Sequence, residues 1–170
     1  MESRQSHVEA VRTLWYGRQE VPQGADLGLA WRAVKAIAAS DGILSGPEAE
    51  CLLARMASLL TEPAVIDAVV AWDFRGVAPV ELLDRVAATG ADRREVGAWI
   101  IYNGLAVSVA DGELADGEMA AVLDVARTMD IDEVTVATLH QLVIDEAALR
   151  RRRLAILHGE EIREPGFVAR

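Results

Sequence analysis

Eight residues that recur 70 positions apart constrain this chain more than any other feature of its 170-residue sequence. Asp41-Gly42-Ile43-Leu44-Ser45-Gly46-Pro47-Glu48 returns as Asp111-Gly112-Glu113-Leu114-Ala115-Asp116-Gly117-Glu118, a shared Asp-Gly-x-Leu-x-x-x-Glu. Each copy follows a run of small and apolar residues (33–39 and 104–110) and precedes an amphipathic stretch. The repeated unit therefore reads helix, acidic loop, helix. Two such units in one chain of this length predict a pseudo-symmetric helical bundle whose halves cover each other's apolar faces.

The rest of the chain agrees with an all-α fold. Pro22, Pro47, Pro63 and Pro79 fall in short turn-like stretches and suit the first turn of a helix, where the missing N–H costs nothing and φ is already helical. Seven or eight helices are expected, near 5–18, 26–40, 47–60, 63–73, 79–89, 93–110, 117–129 and 133–157. Met119, Val122, Leu123, Ala126 and Met129 recur at the three-and-four spacing of one helix face, which belongs in a core. No segment alternates apolar and polar over a strand's length, and the two Asp-Gly pairs follow alanine-rich helical stretches instead of linking strands. Residues 1–24 are expected to form an N-terminal helix and turn, and 25–158 the main helical domain with repeats near 26–60 and 93–129. Residues 159–170 are expected to fray as a flexible tail.

The loop can be read residue by residue. Glycine after aspartate lets the chain leave the first helix through positive φ, and Leu44 or Leu114 then anchors the turn in the core. Ser45 and Glu48 have the spacing of a capping box, in which the hydroxyl satisfies one orphan N–H and the carboxylate reaches back to another. Ala115 lacks that hydroxyl, so Asp116 is the expected cap in the second copy. Asp41 and Asp111 face the negative end of a helix dipole and need compensation from the next helix's N-terminus, a cation or a metal. A conventional EF-hand is rejected. Aligning Asp-Gly-x-Leu-x-x-x-Glu with the second half of that loop puts Ile37 and Ala39, or Val107 and Val109, at its first and third ligand positions, and none carries an oxygen ligand.

Composition excludes several function classes. With 52% hydrophobic residues and 26% charged, the chain is a single soluble globular domain and not a disordered acidic tail. Its 27 acids against 17 bases give a net charge of −10, and Lys35 is the one lysine, so nucleic acid is a poor partner. Cys51 is the single cysteine and can close no internal disulfide, which points to a reducing cytoplasm. Neither a signal peptide nor a membrane span is expected from the hydropathy.

At the repeat the chain resembles the tellurite-resistance TerB-like family, in which an alanine-rich helix runs into Asp-Gly, an aliphatic residue, and a glutamate that opens the next helix. Ala110-Asp111-Gly112-Glu113-Leu114 with Glu118 is the closer copy; Ser40-Asp41-Gly42-Ile43-Leu44 with Glu48 has serine where alanine is commoner. The likeness spans roughly residues 27–157. It implies an all-helical, bacterial, cytoplasmic, stress-associated protein with a divalent-metal or metal-oxyanion connection through these acids, and it implies no particular reaction.

Two readings of Asp41, Glu48, Asp111 and Glu118 stand side by side. They can form a hard-cation site for Ca, Mg or Mn, with oxygens from two related loops. They can equally be helix caps, each stabilising by about 0.5–2 kcal/mol. His7, His140 and His158 are too scattered for a zinc site, and His140 reads as a boundary residue of a packed face. Cys51, beside Leu52 and Leu53, reads as an inert core thiol. Arg150 to Arg153 point all round a helix and read as its solvated end, supported by the spacing from Glu146. Trp15, Trp31, Trp72, Trp99, Tyr16 and Tyr102 read as core anchors, or as the walls of a flat apolar site if they converge. The function expected is a binding or accessory role, with a small ligand or a protein as partner. The alternative is a small helical enzyme in which a corner carboxylate sits inside an apolar inter-helix pocket and acts as acid or base.

Overall fold

Most of the helices begin where the sequence offers the first turn an acceptor or a proline. In the computed structural model, which describes residues 25–59, 61–87 and 90–159, Asp26 accepts from Leu29 N–H (3.0 Å) to open α1, Leu27–Ala38. Ser45 opens α2, Gly46–Ser58, and Pro63 opens α3, Pro63–Ala71. α4, Val80–Ala87, follows Pro79. Asp92 accepts from the N–H groups of Arg94 and Glu95 to start α5, Arg93–Ser108, which tightens into a 3-10 turn over Val109–Asp111. Then come α6, Asp116–Thr128, and α7, Glu133–His158, capped by Asp132 at Thr135 N–H (2.8 Å). Seven α-helices and no strand occur among the described residues, as the patterning predicts. The helix expected near 5–18, with His7, Trp15 and Tyr16, and the tail from residue 160 lie outside the described residues.

α5 is the central rod. It packs against α1, α2, α6 and α7, and glycine lets two of these neighbours approach closely. A Cβ on Gly97 would lie 2.5 Å from Met129 Cβ, and one on Gly104 would lie 2.9 Å from Ile37 Cδ1. Trp31 and Trp99 meet edge to face in the core, with ring centroids 4.8 Å apart, and Trp31 Nε1 donates to the buried Thr61 hydroxyl. Val122, Ala126 and Met129 are buried with Met119 and Leu123 packed beside them, so the face read from α6 is the core face. No described helix is long and apolar enough to cross a membrane.

α3 ends at Ala71, two residues short of expectation, for a long-range reason. The Lys35 ammonium on α1 is buried and donates to the carbonyls of Val69, Val70 and Trp72 at 3.0, 2.9 and 2.7 Å. The chain turns extended at Trp72, and the lysine satisfies carbonyls that another helical turn would have used. Burial lowers the Lys35 pKa, and Asp73 opposes that shift.

Candidate functional site

The two repeats fold into corners that agree atom by atom at the turn. In the first, Gly42 N–H donates to Ala39 carbonyl with φ of 96°, and Asp41 Oδ1 accepts from Ile43 N–H at 2.9 Å. In the second, Gly112 N–H donates to Val109 carbonyl with φ of 99°, and Asp111 Oδ1 accepts from Glu113 N–H at 3.1 Å. Both aspartates are exposed, and one oxygen of each closes its own turn. That turn and the surrounding water supply the compensation that a carboxylate at a helix C-terminus requires. Leu44 and Leu114 are half-buried against the core, as the motif predicts.

Past the leucines the corners diverge. Ser45 and Glu48 form the expected capping box: Ser45 N–H donates to Glu48 Oε2 at 2.6 Å, and Glu48 N–H to Ser45 Oγ at 3.4 Å. In the second corner Glu118 Oε2 likewise accepts from Ala115 N–H, at 2.8 Å. Asp116 does not become the cap. Ala115 occupies that position without a side-chain acceptor, Asp116 is already the first helical residue, and the Glu118 N–H turns to the Ala115 carbonyl instead.

The corners also touch. α2 packs on the 3-10 turn of the second corner and α6 on α1; a Cβ at Gly117 would lie 3.6 Å from the Cα and N of Asp41. This apposition turns Glu48 and Glu118 toward one another in the interior, where they are 4% and 3% exposed. The Glu118 carboxyl is pushed up to about 8, first by burial and then by the neighbouring Glu48 carboxylate, against the opposing pull of Ala115 N–H and the Ser108 hydroxyl. Glu118 Oε1 and Ser108 Oγ are both buried, and neither has a hydrogen-bond partner of good geometry. Near neutral pH the pair therefore holds a proton, and the protonated Glu118 can donate to Glu48.

The structure can be set beside known proteins at this point. No family model matches the sequence, and no curated protein matches it. Among solved structures, the chain is similar to the crystal structure of a tellurite resistance protein from Nostoc punctiforme, with a TM-score of 0.74 and 26% identity over 96% of this chain and 99% of that one. The fold resembles that of this tellurite resistance protein. The resemblance carried by Asp41-Gly42 and Asp111-Gly112 thus extends to the arrangement of the whole bundle.

Within this helical bundle the four acids separate into two kinds: Asp41 and Asp111 on the surface, Glu48 and Glu118 inside. Among the described residues, no three His, Cys, Asp or Glu side chains converge as one ligand set. Two surface grooves, of 560 and 340 Å³, are lined by none of the four. The first lies between α2, the end of α5 and α7, with an apolar floor including Ala54, Ala106 and Val143 and a charged rim including Arg55 and Glu146. No tryptophan lines either groove: Trp31 and Trp99 are core, and Trp72 lies half-buried under Arg32.

The remaining candidates take structural places. Cys51 is half-buried with Sγ 3.4 Å from the Ala106 carbonyl, and burial pushes its thiol up, away from nucleophilic character. His140 is half-buried, its Nε2 enclosed without a partner and its pKa lowered by burial. His158 is exposed at the end of α7. Arg150 to Arg153 are exposed, but Glu146 does not pair with Arg150; it accepts from Tyr102 Oη at 2.6 Å. That contact continues a chain the sequence had not suggested. Arg55 stacks 4.8 Å from the Tyr102 ring centroid and donates to the buried Asn103, which in turn donates to Trp99 carbonyl. The one sequence signal was Asn103 itself, a lone amide in an otherwise apolar run. Ser108 was missed similarly; the repeat puts Ala38 at its counterpart, so the hydroxyl is specific to the second copy.

Proposed function

We propose that this chain is a TerB-like accessory protein of the stress-response kind that binds a divalent cation where its two acidic corners meet. In this reading Glu48 and Glu118 are the inner ligands, and Asp41 and Asp111 draw the ion in and complete its outer shell through water. The observation that carries the reading is the enclosed Glu118 Oε1, which makes no hydrogen bond of good geometry and lies beside a second carboxylate. Hard cations such as Mg²⁺ bind through one or two carboxylates with water filling the remaining positions, so two inner ligands are enough. The ion would replace the proton that otherwise holds the pair. The tellurite resistance protein of similar fold supports placing this role in a stress response, and the absence of corner acids from both grooves favours binding over turnover.

The test is thermal unfolding of the protein with Ca²⁺, Mg²⁺ or Mn²⁺ beside calorimetric titration with each metal. A rise in melting temperature is expected that Glu118→Gln abolishes and the Asp41→Asn/Asp111→Asn double variant weakens. A metal response unchanged by these variants, or no response at all, would refute the reading.

A further inference from the structure

The C-terminal half of α7 presents an apolar stripe to solvent. Val136 and Val143 are the buried residues of this 26-residue helix, so beyond Val143 no side chain is fully covered. Its inner side, through Val143, Ala147 and Leu154, walls the larger groove. Leu142, Leu149 and Ile156 lie elsewhere on the helix and are 44%, 68% and 63% exposed. They are spaced by seven residues, close to two helical turns, so they form a single row along the helix.

The charges beside this row are arranged head to tail. Asp145 and Glu146 precede Leu149, and Arg152 and Arg153 follow it; all four are exposed, and neither arginine has an ion-pair partner among the described residues. Asp145 accepts from Gln141 on its own helix. A second helix of the same sequence laid antiparallel, with a twofold axis at Leu149, sets Leu142 against Ile156 of the second copy. It also brings Asp145 and Glu146 against the second copy's Arg152 and Arg153. A parallel pair in register would instead set acid on acid and arginine on arginine. The surface is thus complementary to itself in one orientation, the requirement for a closed twofold interface. Net charge favours the same face: in a chain of −10, the Arg150–Arg153 run is where another acidic copy can approach.

We infer that the outer face of α7 binds a second copy of this chain, forming an antiparallel homodimer centred on Leu149. Sedimentation equilibrium of the full chain from micromolar to submillimolar concentration should give twice the monomer mass. Leu149→Arg should return it to the monomer mass with an unchanged far-ultraviolet circular dichroism spectrum. Arg153→Glu should also weaken the pair, and adding Asp145→Arg to the same chain should restore it. In a Cys51→Ser background, a short thiol cross-linker should join a mixture of Leu142→Cys and Ile156→Cys chains much more efficiently than either variant alone. A monomer throughout that range, a dimer indifferent to Leu149→Arg, or cross-linking of each cysteine variant with itself would overturn the inference.

Discussion

The first corner closes its own accounts and the second does not. Around Ser45 both halves of the capping box are made, and helix capping explains the residues found there. Around Ala115 the hydroxyl is gone, Ser108 has entered from α5, and Glu118 keeps one enclosed oxygen without a hydrogen bond of good geometry. The same eight-residue pattern thus yields a complete capping box in one place and, in the other, a buried carboxyl that keeps its proton near neutral pH. What separates them is the capping hydroxyl, present at Ser45 and missing at Ala115; what joins them is that each glutamate faces the other, and two neighbouring buried carboxylates cannot both ionise cheaply.

The largest test of this asymmetry is pH. The Glu118 carboxyl rises from an ordinary 4.5 to about 8 in the folded protein, so its favourable contribution is intact below the lower value and is lost as pH climbs through the upper one. The unfolding free energy from urea titrations should fall between about pH 5 and about pH 9, by an amount on the order of a few kcal/mol. Glu118→Gln, which puts a permanent N–H donor where the proton sits, should flatten that slope. Glu48→Gln should instead move the transition to lower pH. Equal pH profiles for the two variants would dissolve the distinction between the corners.

Smaller effects sharpen it. Ser45→Ala should cost about 1 kcal/mol in chemical unfolding, since it removes one half of a working capping box. Ala115→Ser should recover up to about 1 kcal/mol by giving α6 the acceptor it lacks. A null result there would mean that the second corner cannot seat a hydroxyl. Gly42→Ala and Gly112→Ala should each destabilise by about 1 kcal/mol, and by matching amounts, because both turns need positive φ. Without added metal, Asp41→Asn and Asp111→Asn should change stability by less than about 0.5 kcal/mol, since asparagine retains the acceptor that closes each turn.

What the sequence made legible was local. Pro47, Pro63 and the Ser45–Glu48 spacing announced helix starts through the chemistry of the first turn, and the Met119-to-Met129 spacing announced a core face. Gly42 and Gly112 announced the turns, and the Asp-Gly-x-Leu-x-x-x-Glu pattern led to a fold later matched in a tellurite resistance protein. Each of these signals lies within a few residues of its effect. The unread features join residues far apart in the chain: Lys35 closing α3, Arg55 holding Asn103, and above all Glu48 facing Glu118. A repeat specifies the shape of each corner; packing of α2 and α6 against the opposite corner decides that the two glutamates meet.

Lys35 has a practical consequence. As the chain's one lysine, with its ammonium buried against three carbonyls, it leaves no other side-chain amine for acylating reagents to find. Such a reagent would tag Lys35 at the rate at which α1 and α3 come apart, so this amine is a native reporter of the opening of the fold, readable by mass spectrometry without any engineered label.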